Sequence, residues 1–279
     1  MRAYYGARQK EAYMHEVFQA SIHVRHIREV DVPDPTYFSV IEGRDSAIVV
    51  DTGYGVGDNR GWVDENVAVP YRVINTHGHL DHVQGNWRFE EAWISAADLP
   101  AYRNANSRMM RLSTFFQLGI ANGMPKSAKD EFIAPPKTVM HPLNGEERFD
   151  LGGVHVSVIS LPGHTKGEIG LLVEEDRLLL SGDSFSDDCF MFCDNHDTLD
   201  ALRHSAEKAL ALPFDTYLGS HTHSALPREF LDTVRRNARE RRVVPGSEEI
   251  INGVATLTIQ AEGPYGVSKI RIPASAPSA

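Results

Sequence analysis

One stretch of the sequence, residues 76–82, reads Thr76-His77-Gly78-His79-Leu80-Asp81-His82. It carries three imidazoles and one carboxylate within six residues. These groups are the nitrogen and oxygen ligands that zinc and related divalent ions take in proteins. A solvated polar turn would not need so many of them. The stretch therefore predicts a metal-binding loop.

The residues around this loop predict a strand that leads into a helix. Residues 71–75, Tyr-Arg-Val-Ile-Asn, contain the β-branched residues typical of a buried strand. Gly78 permits a tight bend, and from His82 onward the pattern becomes helical. Loops at strand ends commonly carry the chemistry of α/β folds, which favours a functional site here.

Length, composition and charge restrict the class of protein. The chain has 279 residues, of which 42% are apolar, and no linker divides it, so we expect one large α/β domain. A net charge of −10 disfavours a nucleic-acid binder, which needs a basic face. The negative charge does not exclude small anionic substrates, because bound metal ions would reverse the sign of the electrostatic potential near them. The expected partner is a small molecule, with no nucleic acid and no membrane.

Cysteine usage and the first residues predict a cytoplasmic protein. Cys189 and Cys193 are too few for a disulfide framework, and we expect free thiols. The N-terminus lacks the apolar region of a signal peptide, and no apolar run reaches the length of a membrane span. The first twenty residues and an apolar insertion at 96–136 are candidates for a homodimer contact, which nothing in the sequence demands.

The remaining patterns predict further strands and helices. Helices are expected at 11–20 (with Tyr13, Val17 and Phe18 buried), 57–65, 199–212 and 228–241. Strands are expected at 22–30, 37–41, 46–50, 93–95, 154–161, 169–173, 177–180, 217–220, 255–260 and 267–272. The segment 96–136 is rich in Met and Phe and reads as a helical insertion, either packed into the core or a lid over the substrate.

Four predicted strands each deliver a metal-binding residue type to the loop that follows. If their sheets share an edge, the four loops converge on a site for two ions, with zinc favoured and iron or manganese also suitable. The predicted ligands are His77, His79 and His164 for one ion, Asp81, His82 and His221 for the other, and Asp183 as a bridge. Asp51 ends another strand, where it either supports the histidine loop or only caps a turn.

These motifs resemble those of the metallo-β-lactamase-fold hydrolases, in that family's order. The matching pieces are His77-x-His79-x-Asp81-His82, Gly163-His164-Thr165-Lys166-Gly167, Gly182-Asp183 and His221, preceded by Asp51-Thr52-Gly53. The resemblance covers roughly residues 20–225. It implies an αββα sandwich, with two mixed β-sheets flanked by helices, in a single domain over 1–279. The insertion at about 96–136 and a C-terminal helix plus hairpin at about 226–273 would complete it.

The resemblance also implies a reaction. A hydroxide shared by two divalent ions would attack the carbonyl of a small thioester, ester or lactone, and Asp81 would be both a ligand and a catalytic acceptor of its hydrogen bond. His223 and Lys166 are candidate substrate-binding residues. The alternative for each is that it is an exposed side chain without a role in the reaction.

Substrates do not follow from a fold that hosts many reactions. The chain resembles the glyoxalase II-like and lactonase-like branch, but glyoxalase II carries a basic helical extension where we expect a helix and a hairpin. The alternatives left open are an acyl-homoserine-lactone-type lactonase, a mononuclear iron persulfide dioxygenase and a non-catalytic metal-bound scaffold.

Overall fold

The computed structural model describes residues 15–29 and 35–275. The strands in these ranges are β1 (Glu16–Gln19), β2 (Val24–Arg28), β3 (Tyr37–Glu42), β4 (Ala47–Val50), β5 (Tyr71–Ile74), β6 (Glu91–Ser95), β7 (Val139–Leu143), β8 (Arg148–Asp150), β9 (His155–Ser160), β10 (Ile169–Val173), β11 (Leu178–Gly182), β12 (Asp188–Phe190), β13 (Thr216–Gly219), β14 (Leu226–Pro227), β15 (Glu249–Ile251), β16 (Val254–Gly263) and β17 (Gly266–Pro273).

The helices of the described residues are mostly short. They are α1 (Asn59–Asn66), α2 (Leu80–Val83), α3 (Leu99–Ala105), α4 (Arg108–Thr114), α5 (Lys129–Phe132), α6 (Leu199–Leu210) and α7 (Phe230–Glu240). The amphipathic helix predicted at 199–212 is confirmed as α6, and the hydroxyl of Thr198 caps it by accepting the amide of Ala201 at 3.1 Å.

The first sheet has seven strands in the order β1-β2-β3-β4-β5-β6-β7. Its first four strands are antiparallel, and the predicted hairpin is confirmed by the pairing of Glu42 with Ala47. β4, β5, β6 and β7 run parallel, so their carboxyl ends meet at one edge. Asp51 follows β4 and the 76–82 loop follows β5, which places the two side by side.

The second sheet has six strands in the order β14-β13-β11-β10-β9-β8. The hairpin predicted from 169–173 and 177–180 is confirmed as β10 and β11, with Leu171 opposite Leu180. β11 and β13 are parallel neighbours, and they deliver Asp183 and His221 to the same edge of this sheet.

Apolar faces join the layers. Ile41, Ile48 and Ile74 of the first sheet are buried against Leu171 and Leu180 of the second. Burial of each such side chain contributes roughly 1.5–3 kcal/mol. Helix α1 packs on the outer face of the first sheet, and α6 and α7 pack on the outer face of the second. The αββα sandwich is therefore the observed architecture, and the extent of the domain over the whole chain stays a prediction.

The structure has a third, separate sheet with the order β12-β17-β16-β15, in addition to the two predicted sheets. Its centre is the predicted C-terminal hairpin, in which Glu262 pairs with Val267, and Ile259 and Ile270 pack on the cluster that includes α7. β12 and β15 have three residues each, too few for an alternating pattern to show in the sequence.

The helix predicted at 11–20 is wrong where the structure describes it. Residues 16–19 form β1, paired antiparallel with β2 so that Val17 lies opposite Ile27. Pairing with a neighbouring strand overrode a weak helical pattern. Val17 was expected to be buried and is 45% exposed, while the predicted buried Tyr13 lies outside the described residues.

The insertion packs in part against the first half of the chain. Phe115, Phe132 and Ile133 are buried in a cluster with Val56, which supports the packing interpretation for these residues. Phe116 of the same segment is 58% exposed. No helix among the described residues is long and apolar enough to cross a lipid bilayer.

Candidate metal centre

All seven predicted ligand residues lie near one another at the edge shared by the two main sheets. Asp183 is at the centre of the group. Its Oδ2 lies 3.1 Å from Nε2 of His221, 3.5 Å from Nε2 of His82 and 3.6 Å from Nε2 of His164. Nε2 of His77 is 4.0 Å away. One carboxylate oxygen thus contacts histidines from both predicted ion sites.

Ligand atoms within 4.8 Å of one another form three groups, each of which could hold a metal ion. They are His77, His79 and His164; His77, His82 and Asp183; and Asp81, His82 and His221. The first and third groups have the membership predicted for the two ions, and the second joins them through Asp183. Whether ions occupy them stays a prediction.

Unsatisfied buried atoms show that the site fits a cation. Nε2 of His77, Nε2 of His82 and Oδ1 of Asp183 are buried without a hydrogen-bond partner in the described part of the chain. Leaving such groups unpaired costs free energy, and native proteins rarely do so. All three atoms belong to groups that could hold an ion, which would satisfy them.

Each histidine of the site is oriented by a hydrogen bond from its other ring nitrogen. When the nitrogen that makes this bond carries the ring hydrogen, the inner nitrogen of the same ring has the lone pair that a metal ion would take. The bonds run from His79 Nε2 to Asp194 O (2.7 Å), from His164 Nδ1 to Phe190 O (2.8 Å), from His221 Nδ1 to Pro35 O (3.0 Å), from His82 Nδ1 to Asp51 Oδ2 (2.9 Å) and from His77 Nδ1 to Thr76 Oγ1 (3.1 Å).

The charges at the site favour a bound cation. Burial would raise the pKa of Asp183, but the imidazoles of His221 and His82 hold it well below its usual value. Asp81 behaves in the same way: burial opposes ionisation, and His82 keeps the pKa of its carboxyl low. Burial lowers the pKa of His164 to about 3 and that of His77 well below its ordinary value. Burial would lower the pKa of His82, but the carboxylates of Asp81, Asp183 and Asp51 raise it well above its usual value, so an ion bound there would replace a proton.

Asp51 supports the histidine loop directly. Besides its bond to His82, its carboxylate accepts the backbone N–H of Thr76 at 2.8 Å and the Thr76 hydroxyl at 2.7 Å. Its backbone is left-handed, with φ of 62°. Of the two interpretations left open by the sequence, the structure favours support of the loop.

Asp98 is a buried residue that the sequence analysis missed. Its Oδ2 accepts the N–H of Gly78 at 2.8 Å and the hydroxyl of Thr165 at 2.7 Å. Its Oδ1 accepts the N–H of Gly167 at 2.8 Å and the side-chain amide of Asn195 at 2.7 Å. One carboxylate therefore joins the 76–82 loop, the His164 loop and the loop of Asp194 and Asn195, in which the carbonyl of Asp194 orients His79.

Gly78 is required for a reason other than the predicted bend. Its backbone is not left-handed, but an added Cβ would lie 2.7 Å from the carbonyl oxygen of Asp98 and 2.7 Å from the amide of Tyr102. The start of the insertion packs directly on the 76–82 loop, and only glycine leaves room for it. No local sequence signal marks either partner.

Glu168 is a second buried acid that the sequence analysis missed. Its Oε1 accepts the N–H of Asp183 at 2.6 Å and lies 3.7 Å from Nδ1 of His77. Burial raises its pKa well above the ordinary value. Its position directly after the Gly163–Gly167 motif was the available signal. Glu168 positions the backbone of the shared aspartate.

The two predicted substrate-binding residues lie apart from the cavity that adjoins the candidate ligands. This cavity, of about 420 Å³, has His164, Asp183 and His221 in its lining, and neither Lys166 nor His223 lines it. Lys166 is exposed, and the ring of exposed His223 lies 5.2 Å from that of Phe18. No residue of 96–136 lines this cavity either, so a substrate role for these elements stays a prediction.

Comparison with known proteins agrees with the architecture. Residues 31–221 match the model of the metallo-beta-lactamase superfamily, which is more than half of the chain. The chain therefore belongs to that superfamily. A beta-lactamase domain protein from Burkholderia ambifaria has a similar structure, with a TM-score of 0.58, 18% sequence identity and coverage of 86% of this chain and 76% of that one. At this identity the likeness shows the fold alone.

Two curated relatives are more similar in sequence. An uncharacterized protein of Mycobacterium leprae is 31% identical over 140 residues, which are 50% of this chain and 62% of that protein. A hydroxyacylglutathione hydrolase of Brucella ovis is 27% identical over 207 residues, 68% of this chain and 66% of that enzyme. The matched region thus spans less than two thirds of each relative.

Proposed function

We propose that this protein is a metal-dependent hydrolase that cleaves a small-molecule thioester, ester or lactone. The contacts of Asp183 Oδ2 with histidines of both candidate ion sites carry this proposal, because they suit two ions that share one carboxylate. The name of the Brucella relative adds support for thioester hydrolysis.

The residues divide into three roles in this proposal. His77, His79 and His164 would hold one ion, Asp81, His82 and His221 the second, and Asp183 would contact both. Two divalent ions would supply an activated water and polarise the scissile carbonyl, and this set of N and O ligands favours zinc. Iron or manganese would suit the same ligands.

Asp81 would orient the attacking water. Its Oδ2 lies 3.4 Å from Nε2 of His221 and 3.5 Å from Nε2 of His82, and the low pKa of its carboxyl keeps it an acceptor. The cavity beside Asp183 would hold the part of the substrate next to the scissile bond. The cytoplasmic location and the homodimer stay predictions.

The test combines metal analysis with a broad panel of substrates. The chain is loaded with zinc, manganese or iron, its metal content is measured by plasma emission, and chromogenic thioesters, esters and lactones are assayed. Two ions per chain with turnover support the proposal. Metal without turnover on the whole panel supports the scaffold, whereas one iron per chain with oxygen uptake on a persulfide supports the dioxygenase.

A variant assigns the activity to this site. His79→Ala should lose at least one ion and abolish turnover while the circular dichroism of the fold is retained, because His79 Nδ1 lies 2.9 Å from His164 Nε2 in the first group. His141→Ala is the matched control, since His141 lies on β7 and is bonded to Glu91. Normal turnover of His79→Ala would contradict the assignment.

A further inference from the structure

The cavity beside the candidate metal centre has mostly apolar walls. Besides Asp183, its lining includes Phe185, Phe190, Tyr217 and Leu226. Tyr217 does not offer its hydroxyl to a ligand, because that group is buried and donates to the carbonyl oxygen of Phe185 at 3.0 Å. Phe185 and Tyr217 are buried behind the wall, whereas Phe190 and Leu226 are half-buried and offer apolar surface that binds an apolar group.

The charged residues of the wall are all acidic. Asp187 and Asp188 line the cavity, and no Lys or Arg is among the described residues that do so. Asp188 is paired with Arg271 through two contacts of 2.9 Å, which offset its charge. Asp187 is exposed and forms no ion pair within residues 15–29 and 35–275. Asp187 therefore adds to the wall of the cavity a negative charge without an ion-pair partner in the ranges that the structure describes.

The part of the cavity lined by His164, Asp183 and His221 would be electropositive if the candidate ligands held their ions. A substrate carbonyl beside these residues and a carboxylate beside Asp187 would meet opposite conditions. The carboxylate would lose its hydration to an apolar wall and face Asp187 without a compensating cation.

We infer that this cavity accepts an uncharged apolar group attached to the scissile carbonyl or to its leaving atom, and that it disfavours the same group carrying a carboxylate. The inference rests on the proposed function for the identity of the reaction. It narrows the substrate class to neutral esters, lactones and thioesters.

Two pairs of substrates that differ only by a terminal methyl or carboxylate provide the test. The first pair is p-nitrophenyl hexanoate and the p-nitrophenyl monoester of adipic acid. The second is the acetyl thioester of propanethiol and that of 3-mercaptopropionate. The quantity compared is the ratio of kcat/KM for the neutral member to kcat/KM for the anionic member of a pair. In the pair whose altered end lies in the cavity, this ratio should be on the order of ten, and roughly 1 M salt should reduce it.

Substitutions of Asp187 assign the preference to this wall. Because the side chain is exposed, Asp187→Asn and Asp187→Lys should fold. Asp187→Asn should lower the ratio by about threefold or more, which is on the order of the effect of one like-charge contact. Asp187→Lys should bring the ratio below one, so that the anionic member becomes the better substrate. Asp232→Asn, a change of an exposed carboxylate in α7, should leave it unchanged.

The outcomes separate this inference from the proposed function. Equal rates for both members of each pair, faster turnover of the anions, or a ratio insensitive to Asp187 would overturn the inference and leave the hydrolase in place. If no ester, thioester or lactone is cleaved, the proposed function fails. Calorimetric binding of the matching p-nitroanilides of hexanoate and adipate to the metal-loaded protein then measures the same preference: tighter binding of the neutral anilide supports the inference and equal binding refutes it.

Discussion

The 76–82 loop and the later ligand-bearing loops supply the candidate centre in different ways. The first carries four of the seven candidate ligands within six residues, whereas His164, Asp183 and His221 each follow a different strand, β9, β11 and β13. In the first case covalent geometry alone keeps the groups close. In the second, only the pairing and packing of the sheets can do so.

The two kinds of loop differ less in how their side chains are oriented than in how these side chains are brought close together. His82 of the compact loop depends on Asp51, and Gly78 depends on Asp98, just as His221 depends on the carbonyl oxygen of Pro35. A motif with several candidate ligands close together therefore identifies the ligand types, while hydrogen bonds from distant segments orient the side chains. Histidine ligands commonly require such partners to keep the correct nitrogen facing the ion.

The largest effect is expected from the residue that contacts both sets. Asp183→Ala should leave less than one ion per chain, because both ion sites lose a carboxylate ligand. Turnover should fall by roughly a thousandfold, which corresponds to about 4 kcal/mol of transition-state stabilisation. Plasma emission and single-turnover rates measure the two quantities. Asp215→Ala, at an exposed carboxylate that pairs with Arg177, is the control. Two ions retained in Asp183→Ala would show that the two sets are independent.

An intermediate effect is expected at Asp98, which joins the compact loop to the His164 loop. Asp98→Asn cannot accept all four hydrogen bonds, so metal affinity should fall by roughly 10–100-fold with both ions still bound at saturation. Competition with a chromogenic chelator measures this affinity.

Asp176→Asn is the matched control for Asp98→Asn, since the Asp176 carboxylate also accepts several bonds, from Ser21 and from His23, away from the centre. An equal loss of affinity in the two variants would mean that the Asp98 effect is general destabilisation rather than loop positioning.

The smallest effect is expected from the segment that anchors the His221 loop to the first sheet. His26 accepts a hydrogen bond from Ser39 (2.8 Å) and donates to the carbonyl oxygen of Thr222 (3.0 Å), and burial lowers its pKa to about 3. Since the unfolded pKa is near 6.5, the unfolded chain binds the extra proton between these values. The stability due to neutral His26 is complete above pH 6.5 and is lost as the pH falls toward 3.

His26→Gln tests this pH dependence in metal-free protein. The free energy of unfolding of the wild type should fall more steeply than that of the variant, by roughly 1.4 kcal/mol per pH unit within the window. Urea titrations at a series of pH values measure both slopes, and His155→Gln serves as a control at a half-buried histidine on β9. Parallel slopes for the wild type and His26→Gln would refute the anchoring role.

The sequence determined the local structure and the ligand types. Alternation and β-branched residues were enough to predict β3, β4, β9, β10 and β11, since these strands bury apolar side chains in the core. The motifs resembling the superfamily's were enough to predict the sandwich. The helix at 11–20 failed because its weak pattern was outweighed by pairing with β2.

Only the tertiary structure decided which distant groups serve the centre. Asp98 lies at the start of an insertion without a local signal, and Glu168 is marked only by the motif before it. Neither position shows along the chain that the two carboxylates are buried beside Gly78 and Asp183. The wall of the cavity likewise combines a loop, β12, β13 and β14. Hydrogen bonds and cavity walls depend on distances in space, which a pattern along the chain does not contain.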